Sequence, residues 1–210
     1  STLGQQFENT PIRARDDYIA VTKDGSRVVD YLLTRKDVDP KRLVYFGLSN
    51  GALRGPMALA TDTRYTAAVL LSGGYVKWHK NRPEIQAFHF TPEVKQPTLM
   101  MNGTSDQVFP VETSQKPLFA DLGSLQKKHI LFSADHIIDA HEVFNTMTEW
   151  LEEEGAEIDD VFVLRSATAA LLRCPMAFPR ACPTATALAT LSAFVRAALV
   201  SGVLGGPLRS

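Results

Sequence analysis

The sequence predicts an α/β fold, a three-layer sandwich in which helices flank a mostly parallel sheet. Three observations carry that expectation. Segments with helical spacing of apolar residues alternate with short apolar runs, and Pro and Gly punctuate the boundaries. The order helix, strand, helix, strand implies crossover connections between parallel strands. At 210 residues, 45% hydrophobic and 21% charged, the chain is long and apolar enough to bury one sizeable core.

Residues 16–35 place Tyr18, Ile19, Val21, Val28, Val29, Leu32 and Leu33 at helical spacings that face a core despite Gly25. Pro40, in DVDP, prevents that helix from continuing. Residues 43–46 (LVYF) then read as a short buried strand, 50–60 as a helix and 67–72 (AAVLLS) as the next strand. An aromatic, proline-bearing connection occupies 73–96. Strand 98–102, helix 113–122, strand 129–132 and helix 138–154 complete the pattern, which makes four strands and contains no repeat.

The composition breaks near residue 160. Residues 1–160 hold 17 basic and all 23 acidic residues, a net charge of -6, whereas 161–210 hold five arginines, no lysine and no acid. The chain therefore divides into an α/β region, 1–160, and an Ala/Leu/Arg/Pro-rich tail, 161–210. Within the tail, residues 184–204 are long enough to span a bilayer, but many are only Ala, Ser or Thr and Arg196 lies inside, which argues against a membrane role. The tail reads as an Ala-rich amphipathic helix or an appended segment.

An overall formal charge of -1, with no basic cluster interleaved with aromatics, gives no basis for nucleic-acid binding. Cys174 and Cys182 are too few for a disulfide framework and have no zinc-ligand pattern around them, so the default compartment is the cytoplasm. The first ten residues lack the basic-then-apolar layout of a signal peptide.

The densest signal is VYFGLSNGALRGPM, residues 44–57. Gly47-Leu48-Ser49-Asn50-Gly51 matches G-x-S-x-G, placed after a strand and before a helix, where that motif belongs. A sharp turn there leaves no room for side chains two residues either side of the serine and exposes its hydroxyl. The following helix start offers unpaired N–H groups, that of Asn50 first, to a developing oxyanion. A serine hydroxyl needs a base and a group to orient that base. Asp106 follows strand 98–102 and His136 follows strand 129–132, so both fall at the carboxyl edge of the sheet where ligands bind in open α/β folds. The order Ser49, Asp106, His136 fits nucleophile, orienting acid and base.

Other readings stand beside these. Asp106 also suits a turn. His141 is a rival base, but it falls inside the last helix. His129 begins a strand and reads as structural, His79 and His89 line a pocket or face water, and Asp135 and Asp139 read as exposed or helix-capping. Tyr75, Trp78, Phe88 and Phe90 either form a substrate pocket or cover the sheet.

DVDPKRLVYFGLSNGALRG, AAVLLSGGY, PTLMMNGTSDQVFPVETSQKPLFADLG, the ADH segment and TMTEWLEEEG together resemble the α/β-hydrolase superfamily, specifically its esterase and prolyl-oligopeptidase-like serine hydrolases. The resemblance spans residues 16–155, the carboxyl-terminal part of that fold, and the fold's first strands have no counterpart. It implies a Ser-Asp-His triad on Ser49, Asp106 and His136 and hydrolysis of small-molecule carboxylic esters without cofactor or metal. Where relatives carry a glycine beside the histidine, this chain has Ala134 and Asp135. No HGG-type segment is present to supply a second oxyanion N–H, and losing one such donor costs about 10² to 10³ in rate. Peptidase or amidase action uses the same triad. From another class comes an inactive hydrolase fragment acting as an interaction module. Strand 43–46 is expected at an open sheet edge, a route to oligomers unless the tail covers it.

Overall fold

The computed structural model describes residues 11–76, 83–154 and 162–165. Five parallel strands form one sheet in the order β4-β3-β2-β1-β5: β1 Leu43–Leu48, β2 Ala67–Leu71, β3 Thr98–Gly103, β4 Lys127–Phe132 and β5 Phe162–Arg165. The helices are α1 Pro11–Leu32, α2 Asn50–Thr61, α3 Lys116–Asp121 and α4 Ala140–Glu153. The expected alternation is therefore present, with helix α1 beginning five residues earlier than its apolar spacing indicated. The connection after β2 contains short 3₁₀ turns at Pro83–Ile85, Ala87–His89 and Thr91–Glu93.

Period-two alternation along the strands sorts the core into two layers. Leu43 and Tyr45 of β1, Ala68 and Leu70 of β2 and Met100 of β3 point toward Val29 and Leu32 of α1, Ala52 and Leu59 of α2, and Leu118 beside them. Val44, Phe46 and Leu48, with Val69, Leu71, Leu99 and Met101, face Val143, Met147, Trp150 and Leu151 of α4. Helix α2 lies close on the sheet because Gly55 has no side chain; a Cβ there would stand 2.7 Å from Leu70 Cδ2.

One expectation is corrected. Strand β1 is not at an open edge, because Leu43, Val44, Tyr45 and Phe46 pair in parallel with Phe162, Val163, Leu164 and Arg165. The composition break hid this strand: FVLR is a buried-type run at the head of the acid-free segment. Pairing with β2, Gly47 beside Leu70 and Leu48 beside Leu71, carries β1 to Leu48, two residues past the expected end. The proposed amphipathic helix at 184–204 lies outside the described residues. Among the described residues no helix is long and apolar enough to cross a membrane.

Candidate active site

Ser49 ends β1 and opens α2 in one residue. Its φ of 53° and ψ of -107° lie where an L-residue is strained by about 1–3 kcal/mol. Two bonds hold it there: its N–H donates to Leu71 O at 2.8 Å and its carbonyl accepts from Leu53 N at 2.9 Å. Gly47 permits the turn, since a Cβ would stand 2.6 Å from the carbonyl carbon and oxygen of Gly51. That same Gly51 carbonyl accepts from the buried Tyr45 hydroxyl at 2.8 Å, tying the start of α2 to β1.

Asp106 lies in the loop after β3 and is 2% exposed. Its Oδ1 accepts from the N–H groups of Val108 at 2.8 Å and Phe109 at 3.0 Å, which leaves Oδ2 for another partner. That partner is His136, in the loop after β4, with Nδ1 2.9 Å from Oδ2. The imidazole Nε2 lies 2.9 Å from Ser49 Oγ. A carboxylate only accepts, so Nδ1 carries the proton and Nε2 is free to accept from the serine. Side chains 57 and 87 residues away from Ser49 in sequence are thus joined to it in one chain of hydrogen bonds.

The acid loop and the histidine loop are laced together by backbone. Thr104 N–H donates to Phe132 O and Ser105 N–H to Ala134 O, both at 2.9 Å, and Ala134 N–H turns back to Phe132 O at 2.8 Å. Gly103 makes this approach possible, because a Cβ there would collide with the Asp135 carbonyl. The departure at Ala134 and Asp135 is accommodated in this way: Asp135 points its Oδ1 at Ile137 N–H, 3.0 Å away, and remains exposed.

The other candidates have separate partners. His141 is exposed in the first turn of α4, where Asp139 caps the helix by accepting from the N–H groups of His141 and Glu142. His129 places Nε2 3.1 Å from Asn102 Oδ1 and its ring 5.1 Å from that of Phe119, and burial pushes its pKa down. His89 is exposed beside Phe88, and His79 lies outside the described residues.

The four aromatics of the connection part company. Tyr75 donates its hydroxyl to Asp121 at the end of α3, and burial raises its pKa. Phe88 is 45% exposed and meets Tyr75 edge-on. Phe90 packs with Tyr18, Met57 and Ile85, toward α1 and α2. Trp78 lies outside the described residues. The ring that does stand against the imidazole is Phe109, 5.8 Å away and clustered with Leu53 and Val76. The sequence signal for it is its place three residues after Asp106, within VFPV.

Among the described residues, no group of three His, Cys, Asp or Glu side chains is placed to hold a metal ion. The N–H groups opening α2, beginning with Asn50 next to Ser49, have no carbonyl one turn back within the helix and are available to an anion.

No protein-family model and no curated protein matches the chain. Solved structures do. A cold-adapted esterase from an Arctic intertidal metagenomic library aligns at a TM-score of 0.56 and 22% identity, over 70% of this chain and 62% of that one. An acetyl xylan esterase from Paenibacillus sp. R4 aligns at 0.55 and 17% identity, over 63% and 52%. The acylaminoacyl peptidase of Pyrococcus horikoshii aligns at 0.51 and 16% identity, over 62% of this chain and 27% of the peptidase. The chain thus spans less than two thirds of the length of either esterase. Parallel strands in this order, with a strained serine between β1 and α2, place the chain in the α/β-hydrolase fold.

Proposed function

We infer that the protein is a serine hydrolase that cleaves small-molecule carboxylic esters through an acyl-enzyme. The observation that carries the reading is the pair of 2.9 Å contacts from Ser49 Oγ to His136 Nε2 and from His136 Nδ1 to Asp106 Oδ2. His136 takes the Ser49 proton as the hydroxyl oxygen attacks the ester carbonyl. The tetrahedral oxyanion is met by the Asn50 N–H at the start of α2, and Asp106 stabilises the imidazolium without taking its proton. The intermediate collapses, His136 protonates the departing alcohol, and a water molecule activated by the same imidazole releases the acid. Gly47 and Gly51 serve the turn that presents the nucleophile. Tyr75 and Phe88 would border the substrate on the side of the connection.

Hydrolysis of amides is a second reading, favoured by the fold shared with an acylaminoacyl peptidase. Intact-mass analysis after exposure to a fluorophosphonate tests the common mechanism. One adduct on the wild-type chain, absent in Ser49→Ala and His136→Ala, is the expected result; an unlabelled folded chain overturns it. Turnover of short-chain esters against aminoacyl amides then separates the two readings. An unlabelled chain that associates with concentration would instead fit an interaction module working through its sheet edges.

A further inference from the structure

Gln115 is the last residue of a single π turn, Val111–Gln115, that leads into α3. Ser114 and Gln115 both send their N–H groups back to Pro110 O, at 3.0 and 3.3 Å. Such wide turns are frequent at functional sites, and this one buries two consecutive polar residues, Ser114 and Gln115. Ser114 donates its hydroxyl to the Tyr75 carbonyl and accepts the Tyr75 N–H on its own carbonyl. Gln115 has no solvent exposure at all, and its Nε2 donates to Gly103 O at 3.0 Å and Phe109 O at 2.7 Å. Those two carbonyls bracket the loop that carries Asp106. Two acceptors facing one amide fix its orientation, with nitrogen toward them. Among the described residues the buried Oε1 atom of Gln115 has no hydrogen-bond partner, which costs stability that the two Nε2 bonds offset.

Resting on the proposed hydrolase reading, we propose that Gln115 is a positioning residue: one side-chain amide clamps both ends of the Gly103–Phe109 loop and so holds Asp106 against His136. Within the clamp, Asp106 Oδ1 is already committed to the Val108 and Phe109 N–H groups. The loop therefore moves as one unit, and its distance from His136 is set where its ends are anchored. Gln115 supplies that anchor on the α3 side, and the Thr104 and Ser105 N–H bonds to the Phe132 and Ala134 carbonyls supply it on the histidine side.

The test uses Gln115→Met, which keeps the length without donors, and Gln115→Glu, which keeps the shape with acceptors facing the two carbonyls. Two readouts are followed in the full chain: steady-state ester hydrolysis and the downfield proton NMR signal of His136 Nδ1–H. The expected result is a fall in kcat of about tenfold to a hundredfold at nearly constant KM, with that signal lost or broadened in both variants. Retention of kcat within about twofold, or a sharp unshifted signal, in either folded variant overturns the positioning role. If the wild-type chain neither labels nor turns over, the hydrolase reading fails. The NMR signal then decides the positioning alone, standing if it is lost in the variants and falling if it is kept.

Discussion

At Ser49 the backbone and the side chain make opposite demands, and the strain at φ 53° is what aims Oγ at His136 Nε2. Asp106 Oδ2 meets His136 Nδ1 as an acceptor. Changing Asp106→Asn keeps the size but offers His136 Nδ1 an amide that can donate, favouring the wrong tautomer. We expect kcat to fall by about 10⁴ with little change in KM, read from initial rates. Gly103→Ala tests a residue that bears no functional group. Its new Cβ has to displace the Asp135 carbonyl, one residue before His136. A loss of about 10² in kcat with an unchanged far-UV circular dichroism spectrum is the expected outcome, because a displacement near 1 Å suffices for that. An alanine variant with wild-type kcat would show that the two loops do not depend on this close approach.

At the scale of elements, α4 and α3 hold the site from opposite faces of the sheet. Helix α4 follows His136 directly and is seated by Trp150, 3% exposed among Val44, Phe46, Leu99 and other side chains of its layer. Trp150→Ala is expected to cost about 3–5 kcal/mol, measured as a lowered urea midpoint at constant slope. Helix α3 ends on Lys127 of β4, whose Nζ donates to the carbonyls of Phe119, Ala120 and Leu122 at 2.8–3.0 Å. Lys127→Met removes all three bonds and should cost about 1.5–3 kcal/mol in the same assay. Much of this layout was legible in the sequence. Ser49 stood in a motif whose glycines have a local steric cause, and Asp106 and His136 followed from their places after predicted strands. The positions of the aromatics were not legible, because Phe90 is drawn to Tyr18 and Met57 by contacts distant in sequence. Gln115 escaped for a different reason. Apolar spacing predicts a helix from residue 113, whereas the π turn that points this amide inward leaves no mark on that periodicity.

Across the described residues the five strands form one parallel frame, and the sheet presents Ser49, Asp106 and His136 from three carboxyl ends on the same side. The frame is closed beside β1 by β5, whose existence the charge break concealed, and bounded on the other side by β4. Its stability should fall with acidity in two windows, set by His129 and Asp62. Burial, then the nearby Lys116, lowers the pKa of His129, so its neutral form belongs to the folded state. The unfolded chain binds that proton near pH 6.5, before the folded chain does. Between these points the unfolded state holds more protons, and stability declines as pH drops below about 6.5. Asp62 behaves as a carboxylate held down by hydrogen bonds from Arg64. Its contribution is present above the ordinary carboxylate range and is lost only as pH falls below about 3.9. Thermal melting of the wild-type chain should therefore show a first drop in Tm as pH falls below about 6.5, and a second one below about pH 4. His129→Gln keeps a hydrogen-bonding side chain for Asn102 but cannot titrate, so it should flatten the first drop and leave the second. Asp62→Asn should do the reverse, and a first drop of unchanged size in His129→Gln would assign that window to other groups.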